Sequence, residues 1–330
     1  MDPRKALRTK VAKLNPYHSV SSVCLEHPDP RYYMGVKDVE QIPTSLIQTL
    51  ENTGNYVLHT LDAFSLGGRA IDVQILHPIT GKCMTGSSSG TAVNVFAYLN
   101  DLGIGTDGGG SVLAPAMSCN LYGFVSPLIE VENRKKFEKK STDGIMFSPS
   151  IGFMTRDLKL LQETVEACLN LNFVDEYQSV LIDSHDENSY LFHTKEIEFP
   201  DKYGPRVPLI GFLDEVLKKC SFLISYEGPV DVHGIGDTVF GHFDEECGKA
   251  QRAACKGFLR VANMVNATAL CIPDKPLGKG WIFVCESKLE KIAYMLKMAE
   301  KMPKYSDELV SRYFGNLEMY FPNGFGGIEK

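Results

Sequence analysis

The amino-acid sequence predicts an α/β protein whose mixed β-sheet core is surrounded by helices. Short apolar runs typical of buried strands alternate along the chain with amphipathic stretches typical of helices. Of the 330 residues, 44% are hydrophobic and 23% are charged, which suits a folded protein with a large core. Because no segment has the composition of a linker, we expect a single domain over residues 1–330. Residues 1–30, rich in proline, histidine and charge, are expected to wrap over its surface.

The first half of the chain is predicted to begin the sheet. Strands are expected at residues 31–37, 55–59 and 103–106, and a helix is expected at residues 91–100. Residues 65–90 are predicted to form a loop, because Gly67, Gly68, Pro78, Gly81 and Gly86 interrupt them.

The second half is predicted to add helices and further strands. The charged residues 130–143 indicate an exposed loop, and residues 157–169 an amphipathic helix. A strand at 207–210 leading into a helix at 213–220, and a long helix at 247–265, are also expected. Strands at 267–272 and 281–285 precede a last helix over 287–302, for which Ser287 and Glu290 match a capping box.

Composition and charge exclude some classes of function. A net charge of −7 argues against a nucleic-acid partner and favours small neutral or acidic solutes. The nine cysteines form no C-x-x-C pair, which is typical of reduced thiols in a cytoplasmic protein. The polar N-terminus does not resemble a signal peptide, and no apolar run reaches the ~18 residues that span a membrane. We therefore expect a soluble cytoplasmic protein, with a homodimer as the default assembly.

Two clusters of serine and glycine are the strongest indication of chemistry. The first reads Thr-Gly-Ser-Ser-Ser-Gly over residues 85–90, and the second reads Gly-Thr-Asp-Gly-Gly-Gly-Ser over residues 105–111. Densely placed glycines bring backbone N–H groups close to one point. A serine that ends such a loop, here Ser111, lies where a nucleophile and an oxyanion hole form together, which indicates acyl transfer.

A serine nucleophile needs a base, and two candidates follow from the sequence. His77 is the one histidine near the clusters in the chain, and it precedes a proline in a loop. Lys37 follows an apolar, strand-like segment, so burial could keep its amine neutral, as serine–lysine enzymes require. A single lysine at a strand end is otherwise an exposed charge.

Together these residues resemble the amidase signature family. The resemblance rests on two motifs, Gly86-Ser87-Ser88-Ser89-Gly90 and the run from Gly105 through Ser111 to Pro115. Ser111 lies 24 positions after Ser87. Val36-Lys37-Asp38 resembles the family's lysine segment, and Gly152 to Leu158 resembles a shortened form of its helix entry. The resemblance covers residues 31–302.

The resemblance implies an αβα sandwich and a Ser–cis-Ser–Lys triad that hydrolyses carboxylic amides without metal or organic cofactor. Ser111 would be the nucleophile, Ser87 the bridging proton relay beside a cis peptide bond, and Lys37 the general base. Gly108, Gly109 and Gly110 would form the oxyanion hole with their backbone N–H groups, and Asp107 would shape the loop.

Departures from the family pattern leave alternatives open. Only 50 residues separate Lys37 from Ser87, which is short for the family and makes Lys10 and Lys13 fallback bases. The family's arginine after the nucleophile is Leu113 here. Two alternatives therefore stay open. The protein could be a catalytically weak or inactive binding or scaffold protein, or it could catalyse acyl transfer within a biosynthetic pathway or an amidotransferase complex.

Two further interpretations of the sequence are weaker. The glycine loop could bind a phosphate, although no Gly-Lys-[Ser/Thr] sequence follows it. A cluster of metal-ligating residue types matches no common ligand spacing. Its members are His233, His242, Asp244, Glu245 and Cys247.

Overall fold

A computed structural model describes residues 3–24, 31–141, 143–171, 179–183 and 194–322. Its fifteen described strands are β1 (Val20–Val23), β2 (Tyr32–Lys37), β3 (Tyr56–Asp62), β4 (Ile71–Leu76), β5 (Cys83–Thr85), β6 (Leu102–Asp107), β7 (Tyr122–Ser126), β8 (Lys139–Lys140), β9 (Met146–Phe147), β10 (Ser150–Thr155), β11 (Val180–Asp183), β12 (Thr194–Ile197), β13 (Leu223–Glu227), β14 (Ala267–Pro273) and β15 (Gly280–Glu286).

The ten described α-helices connect and cover these strands. They are α1 (Pro3–Leu14), α2 (Thr44–Glu51), α3 (Ser89–Phe96), α4 (Leu113–Ser118), α5 (Val131–Lys135), α6 (Leu158–Cys168), α7 (Arg206–Val216), α8 (Glu245–Arg252), α9 (Leu289–Ala299) and α10 (Glu308–Phe314). None of those helices is long and apolar enough to cross a membrane.

Eleven strands form one mixed sheet in the order β1-β3-β2-β6-β10-β7-β14-β15-β13-β11-β12. Strand β2 runs parallel to β3 and β6, whereas β10, β7, β14 and β15 join as antiparallel neighbours. The strand residues alternate between two apolar clusters, as a pleated sheet buried on both faces requires. Helices α3, α4 and α7 contribute to one cluster, and α2, α6 and α9 to the other. The expected α/β sandwich is confirmed.

The described part of the N-terminal segment adds to the sheet as well as covering it. Strand β1 pairs with β3 at the sheet edge, and Val11 and Ala12 of α1 are buried in a small apolar cluster. Residues 1–2 and 25–30 of that segment lie outside the described residues. That the whole chain is one domain stays a prediction.

Two local predictions are wrong because short apolar runs do not distinguish strand from helix. Residues 207–210 lie in helix α7, which buries Leu209 and Leu213 one turn apart. Pro208 is accepted there because it stands in the first turn, where its missing N–H is not needed. Residues 71–76 and 83–85, predicted as loop, pair as the β4–β5 hairpin.

Two predicted helix boundaries are also wrong. The helix expected over 247–265 ends at Arg252, and Cys255 has a φ of 51°, which an α-helix does not accept. The buried carboxylate of Glu227 then accepts the N–H groups of Gly257 and Phe258 at 3.0 and 2.7 Å. Ser287 does not cap the last helix. Its hydroxyl donates to the carbonyl of Asn266 at 2.8 Å, and α9 begins two residues later without a side-chain cap.

The tight sheet packing predicts opposite effects for two glycine-to-alanine changes. A Cβ at Gly152 of β10 would lie 2.5 Å from the carbonyl oxygen of Phe124 and 2.7 Å from Val125, whereas one at Gly211 of α7 would meet nothing within 4 Å. Gly152→Ala should therefore lower the free energy of unfolding by about 1–3 kcal/mol. Gly211→Ala should raise it by about 0.5–1 kcal/mol. Urea unfolding of both variants measures the contrast, and equal effects would contradict the described packing.

Candidate active site

The candidate site lies where two parallel strands of the sheet end. Lys37 is the last residue of β2, and Thr106 and Asp107 are the last residues of its neighbour β6. The loop with Ser87 enters the same place between β5 and α3. Because parallel strands present their carboxyl ends at one sheet edge, residues far apart in sequence meet here.

The side chains of Lys37 and Ser87 are in contact. Lys37 is 4% exposed, and its Nζ lies 3.0 Å from Ser87 Oγ and 3.0 Å from Thr106 Oγ1, to both of which it donates. Burial of the amine and the nearby ammonium of Lys139 lower the pKa of Lys37 to about 7, against the opposite influence of the Asp107 carboxylate. An amine with that pKa is substantially neutral at neutral pH and has a lone pair for accepting a proton.

The other basic groups weighed from the sequence lie in different surroundings. Lys10 and Lys13 are exposed on α1. His77 is buried in the β4–β5 hairpin, where its Nε2 lies 2.9 Å from the carbonyl of Ser118 and its Nδ1 accepts the N–H of Ile79 at 3.1 Å. Both ring nitrogens thus hold the hairpin, and burial lowers the pKa of His77.

The loop with Ser87 packs against the backbone of Ser111. The carbonyl of Ser111 accepts the N–H of Ser88 at 3.1 Å. Gly86 has φ of 73°, and a Cβ there would lie 2.5 Å from Pro115 and 3.3 Å from the Ser111 carbonyl oxygen. The close approach and the positive φ both require glycine at position 86. Within the part of the chain that the structure describes, no hydrogen bond to Ser111 Oγ is formed.

Asp107 organises the glycine loop in the way the sequence analysis expected. Its carboxylate accepts the N–H groups of Gly110, Val112 and Leu113 at 2.7, 2.7 and 3.2 Å. Burial raises the pKa of Asp107, although these backbone hydrogen bonds act in the opposite direction. Because the Gly110 N–H is engaged by Asp107, it is not available to an oxyanion in this arrangement. Gly108 and Gly109 lie at the partly exposed end of the loop.

The expected cis peptide bond beside Ser87 is not present. The one cis bond of the described residues joins Gly228 to Pro229, which are not part of this site. The prediction of a cis bond came from the family resemblance, and nothing in the sequence of the loop itself demanded it.

Several residues of the site were missed by sequence reasoning. Thr106 is the second hydrogen-bond partner of the Lys37 amine. Its position in the serine–glycine cluster of residues 105–111 could have indicated that it belongs to the site. The ring of Phe147 and the guanidinium of Arg206 lie beside Gly108 and Gly109, since a Cβ on those glycines would be 2.2 Å and 3.2 Å from them. Neither Phe147 nor Arg206 stands in a recognisable motif.

The residues weighed as metal ligands do not converge. Asp244 caps helix α8 by accepting the N–H of Cys247 at 2.7 Å. Across residues 3–24, 31–141, 143–171, 179–183 and 194–322, no group of three or more His, Cys, Asp and Glu side chains is arranged to hold a metal ion.

Comparison with known proteins supports the resemblance inferred from the sequence. Residues 77–196 match the family model described as Amidase. A segment of 93 residues, 28% of the chain, is 38% identical to Amidase 1 of Oryza sativa subsp. japonica and covers 20% of that protein. A segment of 39 residues, 12% of the chain, is 62% identical to Amidase 1 of Arabidopsis thaliana and covers 9% of it. The aligned segments thus span a fifth or less of the plant proteins.

Solved structures match nearly the whole chain. One subunit of the glutamyl-tRNA(Gln) amidotransferase of Thermotoga maritima is similar with a TM-score of 0.65 and 14% identity, covering 92% of each chain. The allophanate hydrolase of Kluyveromyces lactis, solved as a serine-to-alanine variant, is similar with a TM-score of 0.61 and 13% identity, covering 91% of this chain and 70% of that one. These likenesses establish the fold. With the match over residues 77–196, they confirm the resemblance to the amidase signature family.

The hydrogen bonds to Asp107 predict a stability effect. Asp107→Asn replaces one acceptor oxygen by an NH2 group that faces backbone donors, so at least one buried N–H loses its partner. The free energy of unfolding should fall by about 1–3 kcal/mol.

Asp157→Asn is the matched control for this change. Asp157 caps α6 at the surface by accepting the N–H of Lys159 at 2.7 Å, and asparagine caps a helix equally well. Urea unfolding should leave this control unchanged, and an Asp107→Asn variant as stable as the wild type would show that the carboxylate does not hold the loop.

Proposed function

We propose that this protein hydrolyses a carboxylic amide through a serine acyl-enzyme, with Ser111 as nucleophile, Ser87 as proton relay and Lys37 as general base. The observation that carries the proposal is the buried contact of Lys37 Nζ with Ser87 Oγ at 3.0 Å, combined with a Lys37 pKa lowered to about 7. The name of the plant relatives, Amidase 1, supports an amide as the substrate class.

Lys37 is suited to receive a proton through Ser87. The Lys37 Nζ and Ser87 Oγ atoms are 3.0 Å apart. In the ammonium form Nζ donates to Oγ, and in the neutral form its lone pair accepts the Ser87 hydroxyl proton. Ser87 Oγ in turn accepts the proton of Ser111 Oγ while that oxygen bonds to the amide carbon. Thr106 Oγ1 fixes the amine from a second side at 3.0 Å, so that the lone pair is kept directed to Ser87.

The glycine loop supplies the electrostatic part of catalysis. The backbone N–H groups of Gly108 and Gly109 are the donors proposed to hold the oxyanion that forms when Ser111 adds to the carbonyl. Removing one such donor from a serine hydrolase costs about 3–4 kcal/mol of transition-state stabilisation. Asp107 contributes indirectly, because its three backbone contacts fix the loop before substrate binds.

The cycle then closes with proton return and hydrolysis. The C–N bond of the tetrahedral adduct breaks as Ser87 passes a proton from Lys37 to the departing amine nitrogen. Water next adds to the Ser111 ester with the same relay acting as base, the ester C–O bond breaks, and the carboxylic acid leaves. The reaction consumes one amide and one water and needs no cofactor for its balance.

Labelling with a fluorophosphonate probe tests the nucleophile. Wild-type protein should gain one adduct by intact mass, and Ser111→Ala should gain none. Ser118→Ala is the matched control, because the buried Ser118 hydroxyl has no hydrogen-bond partner among the described residues and its loss removes no contact. An adduct that persists in a folded Ser111→Ala protein would overturn the assignment of the nucleophile.

The lowered pKa of Lys37 predicts how the rate depends on pH. The neutral amine is the active form, so kcat/KM for a primary amide should rise about tenfold per pH unit below pH 7 and level off above it. Lys37→Ala should lower kcat/KM about 10²- to 10⁴-fold. Lys37→Arg should not restore the rate, because a guanidinium stays protonated.

Lys10→Ala is the control for the base, since Lys10 is exposed on α1. Its pH–rate profile should match that of the wild type. A wild-type profile without an inflection near pH 7, or full activity in Lys37→Ala, would contradict the role of Lys37.

A further inference from the structure

Two cationic side chains and the backbone of a third cationic residue lie near the glycine loop, although the chain as a whole carries a net charge of −7. The Nη1 atom of Arg206 would lie 3.2 Å from a Cβ on Gly109, and the backbone of Arg260 lies against Gly109 and Gly110. Lys139 lies over the Phe147 ring, with Nζ 5.6 Å from its centroid, and that ring covers Gly108. None of the three belongs to the proposed triad.

One edge of the Arg206 guanidinium is bound to the protein, and its Nη1 group is free to bind a ligand. Its Nε and Nη2 donate to the two carboxylate oxygens of Asp143, with an Nε distance of 2.7 Å. The side chain is 15% exposed, so this ion pair fixes it against the protein. The Nη1 group beside Gly109 donates to no described residue. Its N–H groups are therefore available to a ligand that reaches the glycine loop.

Of these three cationic residues, only Arg206 forms an ion pair with a described carboxylate. Asp143 balances one guanidinium, and no described carboxylate forms an ion pair with Arg260 or Lys139. Arg260 donates to the backbone carbonyls of Lys202 and Gly204, and its Nε is buried without a partner among the described residues. Burial and the nearby charge of Arg206 lower the pKa of Arg260, whereas the carboxylates of Glu227, Asp201 and Asp143 act in the opposite direction.

We propose that Arg206 binds a carboxylate on the substrate, so that the protein acts on amides that also carry a carboxylate group. This inference rests on the proposed amide hydrolysis and names its substrate class. The end of a guanidinium presents two parallel N–H donors that match the two oxygens of a carboxylate. Because Arg206 lies beside Gly109, the carboxylate is a few bonds from the amide carbonyl, as in a monoamide of a short dicarboxylic acid.

Calorimetric titration of the Ser111→Ala protein tests this binding without turnover. Succinamate is the anionic probe, and isocaproamide, in which two methyl groups replace the carboxylate oxygens, is its neutral isostere. Succinamate should bind at least about tenfold more tightly than isocaproamide. Adding Arg206→Gln should weaken succinamate binding about 10- to 100-fold and leave isocaproamide unchanged, because only the charged ligand uses the guanidinium.

Two further variants separate a specific contact from general charge. Arg31→Gln also removes an arginine from an ion pair, with Glu163, but at the opposite end of β2, and it should not change either affinity. Asp143→Asn removes the counter-charge but keeps one oxygen acceptor that holds the guanidinium, so succinamate should bind more tightly. Unfolding midpoints of all variants check that the fold is kept.

The outcomes distinguish this inference from the proposed function. Equal affinity for the two probes, or unchanged succinamate binding in the Arg206→Gln protein, would overturn the carboxylate site even where fluorophosphonate labels Ser111. Tight, Arg206-dependent succinamate binding in a protein whose Ser111 is not labelled would support the carboxylate site and refute the hydrolase mechanism.

Discussion

The burial of a single lysine amine is the constraint on which the rest of the site depends. An ammonium removed from water is costly unless a carboxylate pairs with it, and Lys37 contacts two neutral hydroxyls instead. The amine consequently favours its neutral form, and its pKa falls to about 7. This requires the ends of β2 and β6 and the Ser87 loop to meet closely enough to exclude water. The order of the strands in the sheet therefore contributes to the lowered pKa of Lys37.

The buried carboxylate of Asp107, unlike the Lys37 amine, is surrounded by hydrogen bonds that favour its charged form. Asp107 lies one residue beyond Thr106 and accepts backbone N–H groups from three positions of the glycine loop. The Asp107 carboxylate favours the charged form of Lys37, but no hydrogen bond or ion pair joins the two described side chains. The lysine is thereby free for the proposed role of base, while the carboxylate holds the loop. A direct ion pair between them would hold the lysine protonated and remove its use as a base.

The sequence predicted those parts of the molecule that depend on local pattern. The strands near residues 31–37, 55–59, 103–106, 267–272 and 281–285 are present, because alternating or continuous apolar runs between turn residues define buried strands. The pairing of Lys37 with Ser87 followed from the resemblance, since no local rule brings residues 50 apart together. The engagement of Gly110 by Asp107 depends on how the loop folds back, which composition does not encode. The position of Arg206 depends on tertiary packing and has no signal in the chain.

The residues recognisable from local sequence are also mostly the ones shared with relatives. The family match over residues 77–196 contains both serines, the glycine loop and Asp107, and it excludes Lys37 as well as Arg206 and Arg260. Lys37 is recognisable by its Val-Lys-Asp segment instead, whereas Arg206 has no motif, and groups that select a substrate differ between enzymes of one fold. At 14% identity to a solved structure of the same fold, a substrate is not transferable by likeness. Arg206 beside Gly109 is therefore the residue on which the proposed preference for a carboxylate depends.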